Sequence, residues 1–176
     1  IKLVPFGEYI PFRQYLGALT EMLAPKDFTS GKLKLNPSIY GFENIITLIC
    51  YEILFTNEIV RRLSENTNLL INITNDAWFG KTIGPYQHLA LAKIKAVEFG
   101  LPLARVANTG ISAYVSPYGE IIGRISLDNK GVKTFYQIRP LNNTLYKIYG
   151  EYIFIVLILT LLVINKTYNF VFKEKY

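Results

Sequence analysis

Two short apolar runs set the terms for any fold open to this chain. Ile45–Ile49 reads IITLI and Leu69–Ile73 reads LLINI. Runs of five bounded by polar residues suit strands covered on both faces. Between them a helix is predicted from Thr56 or Asn57, either an acceptable N-cap, to about Ser64. A clearer helix is predicted from Pro85 to Phe99 and is stopped by Gly100. Its Leu89, Ala92, Ala96 and Phe99 recur every three or four residues and so form one buried face. Leu103–Val106 and Ile111–Val115 read as strands on either side of Asn108-Thr109-Gly110. Pro117–Glu120 reads as a turn, with Ile121–Ile125 and Lys133–Ile138 as further strands. Upstream, Ile1–Val4 reads as a short strand, Tyr9 to about Leu23 as a loop running into an irregular helix, and Pro25–Tyr40 as loop or hairpin. Strands alternating with helices predict an α/β layer.

The C-terminal segment is of another kind. Tyr152–Ile164 holds no charge and, apart from Tyr152 and Thr160, only aliphatic residues and Phe. Those residues alone fall short of the roughly 20 that a ~30 Å hydrocarbon layer requires. Extension to Tyr146 and Tyr168 supplies the length and leaves Glu151 and the tyrosines at the interface. A buried terminal helix is the alternative, but so small a domain offers little for it to pack against. The expected organisation is an α/β domain over residues 1–145, a transmembrane helix over 146–168 and a cytoplasmic tail over 169–176. Lys166, Lys173 and Lys175 follow the apolar run. The positive-inside rule then puts the tail in the cytoplasm and the α/β domain across the membrane.

Charge narrows the partners. The net charge of +6 fits an anionic membrane surface or nucleic acid. The lysines are scattered, however, and no Arg-rich cluster or nucleic-acid motif is present, so nucleic acid is not an expected partner. With one cysteine, Cys50, the chain has no internal disulfide and no cysteine-based metal cluster. One His and one Cys far apart make no metal site, and no cofactor is expected.

Cys50 stands where a buried strand gives way to a turn, with Glu52 two residues on. A strand end holds a thiol rigidly at the rim of a sheet, and a neighbouring base or cation makes the thiolate available. Spacing alone leaves two readings open, a nucleophile and a plain core cysteine.

An ordered set of motifs decides between them. Leu3-Val4-Pro5-Phe6-Gly7-Glu8-Tyr9-Ile10-Pro11, Ile49-Cys50-Tyr51-Glu52 and Asn75-Asp76-Ala77-Trp78-Phe79-Gly80 occur in that order. Gly84-Pro85-Tyr86-Gln87-His88, Arg105-Val106-Ala107-Asn108-Thr109-Gly110-Ile111-Ser112 and the apolar terminal segment follow. Together they resemble the apolipoprotein N-acyltransferase family of the nitrilase (carbon–nitrogen hydrolase) superfamily. The resemblance implies an extracytoplasmic nitrilase-like α-β-β-α sandwich on a bundle of membrane helices, in the bacterial inner membrane with the catalytic domain periplasmic. It implies a Glu-Lys-Cys triad that carries an acyl chain from a phospholipid, through a thioester, to the N-terminal amine of a diacylated lipoprotein. Cys50 matches the nucleophile. Glu8, Tyr51 and Glu52 match further residues that the family requires for activity. Trp78 and Phe79 are expected to line the lipid entrance, with a core-plugging role as the alternative. His88 is expected to be a structural, hydrogen-bonded histidine rather than a base.

The same register leaves two triad members without a match. The family's catalytic Lys would stand immediately before Ile1, and Lys2 falls on the next basic position; a two-residue slip to bring it into service is about 7 Å. The general-base Glu has no match. The chain is therefore expected to be the C-terminal portion of a longer enzyme, or one half of a split enzyme with a separate N-terminal half, and inactive alone. A catalytically dead remnant and a nitrilase-type amidase using water are the competing readings.

Overall fold

The computed structural model describes residues 3–5, 8–16, 26–31, 36–38 and 41–173. Its centre is a five-stranded sheet in the order β1 (Ile45–Ile49), β2 (Leu69–Asn75), β3 (Leu103–Asn108), β4 (Ser112–Val115), β5 (Ile121–Ile125). The first three strands are parallel and the last two pair antiparallel. The parallel pairing follows from the crossovers. A 3-10 turn (Cys50–Leu54) and α2 (Thr56–Val60) return the chain from β1 to β2, and α3 (Gly84–Phe99) returns it from β2 to β3. Short turns join β3 to β4 and β4 to β5, which only antiparallel strands permit. The helix after Cys50 is shorter than predicted, ending at Val60, and its N-cap is Phe55.

One face of the sheet is the core. Ile46, Leu48, Leu70, Leu103, Ala113 and Val115 pack beneath Leu89, Ala92, Ala96 and Phe99 of α3. The helix face legible in the sequence is thus the buried one, and Gly100, at φ +64°, ends it in the left-handed region. Burying the larger side chains among these, Ile46, Leu48, Leu70, Leu89, Phe99, Leu103 and Val115, contributes about 1.5–3 kcal/mol each before chain entropy is set against it. On the opposite face Ile45, Leu69 and Tyr114 are buried by Phe42, Phe135 and Ile138. Towards the strand ends that face is open, and the register partners Ile49, Ile73 and Val106 are 61%, 55% and 56% exposed.

Lys133–Ile138 is not the strand expected. The ring of Phe135 stacks on Tyr114 at 5.1 Å and lies over Gly123, where a Cβ would come within 2.5 Å of it. The amide of Ile138 donates to the Tyr114 hydroxyl at 3.2 Å. These contacts draw the segment across the sheet face, away from the edge where it would have paired.

At the N-terminal end, Ile1 and Lys2 of the expected strand lie outside the described residues, and Pro5 bridges Tyr9 in isolation. Helix α1 covers Arg13–Leu16; the expected continuation to Leu23 lies outside the described residues.

The C-terminal segment forms two helices, α4 (Leu145–Tyr149) and α5 (Tyr152–Lys173), separated at Gly150 with φ +55°. The long helix accordingly begins at Tyr152, not Tyr146. From Phe154 to Ile164 its apolar side chains, Thr160 aside, are 51–62% exposed. Among the described residues no helix is long and apolar enough to cross a membrane.

Candidate active site

The three parallel strands deliver their C-terminal ends to one rim of the sheet, where open α/β sheets characteristically bind ligands. Cys50 follows β1, Asp76 follows β2, and Asn108 ends β3. Three of the quoted motifs are therefore gathered at one rim by topology.

Cys50 turns the corner between strand and 3-10 helix with φ +49°. A non-glycine residue in the left-handed region costs on the order of 1–3 kcal/mol and persists only when its surroundings fix it. The chain turns sharply at this residue, where β1 passes into the 3-10 helix. Cys50 is half-buried. Glu52, buried in the first turn, reaches back so that its Oε2 accepts from the amide of Ile49 at 2.8 Å. This is the returning half of a capping box, and it ties down the residue just before the thiol.

Tyr51 stacks on His88 with ring centroids 4.9 Å apart and planes 15° from parallel. Phe79 meets both rings, tilted against Tyr51 at 6.1 Å and edge-on to His88 at 6.0 Å. Burial, with the nearby charges of Cys50 and Asp76, pushes the Tyr51 phenol above its usual range. It is a neutral hydroxyl at physiological pH. Trp78 is 85% exposed and so plugs no core, whereas Phe79 is half-buried.

Glu8 belongs to a separate local structure. Its Oε2 accepts from the amide of Val4 at 2.9 Å, and its own amide donates to the carbonyl of Val4 at 2.8 Å. Among the described residues, these bonds of Glu8 stay within its own segment and do not reach the Cys50 corner. Cys50, Tyr51, Glu52 and Phe79 are thus brought together directly; Glu8 and Trp78 are not.

Behind this rim lies a buried polar cluster to which the sequence reading gave no role beyond a structural His88. Asp76, His88 and Arg105 are each 2% exposed or less, as is Asn72. Arg105 donates to Asp76 Oδ2 at 2.8 Å, and Nδ1 of His88 donates to Asp76 Oδ1 at 3.0 Å. Thr74 adds a third bond to the carboxylate, at 3.1 Å. Burial acts to raise the Asp76 carboxyl, but the His88 bond and the Arg105 guanidinium outweigh it and hold it below its ordinary value. Burial lowers Arg105, with the Asp76 carboxylate and the Cys50 charge opposing. The available signal was Asn72 and Arg105 at inward-facing positions of otherwise apolar strands. Gly110 belongs to the same packing, since a Cβ there would lie 2.4 Å from Asp76 Oδ2.

The carbon-nitrogen hydrolase family profile matches residues 1–137. Among curated proteins, the chain is 43% identical over 145 residues to an apolipoprotein N-acyltransferase of Brucella suis, covering 80% of this chain and 27% of that protein. It is 36% identical over 172 residues to the apolipoprotein N-acyltransferase of Rhodopseudomonas palustris, covering 94% and 32%. The chain thus spans about a quarter to a third of the length of these relatives. Among solved structures, an amidase from Nesterenkonia sp. is 23% identical, with a TM-score of 0.44 over 60% of this chain and 42% of that one.

Proposed function

The chain belongs to the carbon–nitrogen hydrolase family, and from that premise we propose that it carries the nucleophile side of an apolipoprotein N-acyltransferase. The observation that carries the reading is the left-handed Cys50 at the end of a parallel strand, with the preceding amide tied down by Glu52. Similarity to apolipoprotein N-acyltransferases over most of the chain supports the substrate class.

In this reading the Cys50 thiolate attacks the ester carbonyl of a phospholipid. The tetrahedral intermediate collapses to a Cys50 thioester and releases a lysophospholipid, whose alkoxide takes up the proton that the base removed from the thiol. The N-terminal amine of a diacylated lipoprotein then attacks the thioester, gives up a proton to the base, and leaves as the amide with the thiolate restored. Glu52 holds the corner, and Tyr51, next to Cys50 in the chain, is a neutral hydroxyl. Glu8 is assigned to orienting the oxyanion-stabilising Lys, and Trp78 and Phe79 to the lipid entrance. The triad Lys and base Glu have no match within Ile1–Tyr176 in the register of the quoted motifs. These 176 residues alone are accordingly expected to be inactive, as oxyanion stabilisation by one donor is worth about 10²–10³-fold and proton transfer about 10²–10⁴-fold.

The membrane is part of the proposal. Helix α5 has 22 residues, or about 33 Å at ~1.5 Å each, close to the ~30 Å of a hydrocarbon layer. Its uncharged run, Tyr152–Ile164, makes up the first part; the remainder would cross with Lys166 snorkelling towards the headgroups. The lysines then lie on the cytoplasmic side and the sheet on the periplasmic face of the inner membrane.

The test is acylation of a diacylated lipopeptide from phosphatidylethanolamine in detergent. The 176-residue chain alone is expected to give no product, and co-expression with a segment supplying Lys and Glu to give turnover that Cys50→Ala abolishes. Turnover by the chain alone would overturn the division of the triad. No turnover after completion would favour the remnant, and ammonia release from a simple amide an amidase.

A further inference from the structure

We propose that Asn72 and Arg105 are positioning residues for the nucleophile: Arg105 fixes the orientation of the Asn72 amide, and that amide holds Cys50 in its left-handed conformation. The proposal rests on the reading of Cys50 as nucleophile. Leu48, Asn72 and Arg105 are register partners across β1, β2 and β3, and so lie side by side on the core face. The two protons of Asn72 Nδ2 go to the carbonyl of Leu48 at 3.2 Å and to that of Cys50 at 3.1 Å. Its Oδ1 accepts from Arg105 Nη1.

An amide can be turned over with little change in shape, and only its partners say which end points where. Here a guanidinium, a donor that cannot accept, faces the oxygen. The nitrogen is thereby directed at the two carbonyls that bracket the strained corner. Asp76 neutralises Arg105 through Nη2 at 2.8 Å, which keeps the fork turned with Nη1 towards Asn72. Both side chains are almost fully buried, 0% and 1% exposed, so water does not compete for these bonds. Glu52 holds the amide of Ile49, and Asn72 holds the carbonyl of Leu48 and that of Cys50 itself. Together they account for a backbone conformation that Cys50 would not adopt unaided.

The discriminating substitution is Asn72→Asp, tested in the protein completed with the triad Lys and Glu. It retains the shape and adds an ionic partner for Arg105, but it presents an acceptor to two carbonyls. The expected result is a variant that still folds cooperatively, at a lower melting temperature, with an unchanged KM for phosphatidylethanolamine. Single-turnover acylation of Cys50 and kcat should both fall about 10²-fold, the scale of an ångström-sized misplacement. Arg105→Lys gives a second reading, because one ammonium retains the charge beside Asp76 but cannot serve both acceptors; kcat is again expected to fall with KM unchanged. A folded variant of either kind with parental kcat would overturn the proposal. So would collapse of both variants on melting, since the pair would then be holding the sheet rather than the corner. Cys50→Ala separates the two claims: loss of the adduct there, with a parental rate in Asn72→Asp, removes this inference and leaves the nucleophile standing. An adduct that survives Cys50→Ala removes the reading beneath it.

Discussion

At the scale of single residues, the corner depends on charged groups buried for their hydrogen bonds. Glu52→Ala leaves the Ile49 amide without its 2.8 Å acceptor and is expected to cost about 1–3 kcal/mol by denaturant unfolding. Glu52→Gln, which retains an acceptor oxygen, should recover most of that loss; equal losses in the two variants would show that the bond contributes nothing. Asp76 makes a prediction in pH. Its carboxyl is lower in the folded protein than its ordinary value, because the His88 bond and the Arg105 charge outweigh burial. Folding therefore favours the ionised form. The stability this confers is complete above the unfolded value of about 3.9 and disappears as pH falls through the lower folded value. Melting temperature should fall steeply below about pH 4, and Asp76→Asn should flatten that part of the profile. Profiles that superimpose would contradict the assignment.

At the scale of elements, close approach governs how the rim is built. A Cβ on Gly110 would meet Asp76 Oδ2 at 2.4 Å and Ala107 Cβ at 2.8 Å. Gly110→Ala is therefore expected to destabilise by about 1–3 kcal/mol, the usual cost of overpacking, measured as a shift in the urea midpoint; an unshifted midpoint would show that the turn opens freely. The β1, β2 and α3 elements were legible in the sequence because their apolar spacing is a local property. Leu89, Ala92, Ala96 and Phe99 are buried as their recurrence demands. A turn after β1 was legible at Cys50, but the 3-10 form of the two turns and the bonds that hold them were not. Cys50–Leu54 has the Glu52 bond back to Ile49, and Asp76–Phe79 is capped by Asn75 accepting from Ala77 at 3.2 Å. Neither turn leaves a periodic trace. Lys133–Ile138 has the composition of a strand, yet Phe135 finds Tyr114 across the sheet face and tertiary packing overrides propensity. Motif matching pointed to Cys50, Tyr51 and Glu52, but the contact of Asn72 with Arg105 depends on the register of β2 with β3. No single strand encodes that register.

At the scale of the whole molecule, the rim that carries Cys50 belongs to the same chain as a long helix whose apolar side chains stand exposed. If α5 spans the membrane as proposed, a cysteine introduced by Lys175→Cys in a Cys50→Ala background should resist an impermeant thiol reagent in cells whose outer envelope has been opened. It should react once the inner membrane is permeabilised. Labelling before permeabilisation would reverse the topology. The central claim is that Cys50 carries the acyl group, and the most direct measurement is the mass of the peptide that contains it. The protein completed with the triad Lys and Glu is incubated with phosphatidylethanolamine, quenched in acid and digested. The account predicts one acyl chain added at Cys50, removed by hydroxylamine and absent from Cys50→Ala. An unmodified Cys50 peptide under conditions of turnover, or an acyl adduct that persists in Cys50→Ala, would contradict it.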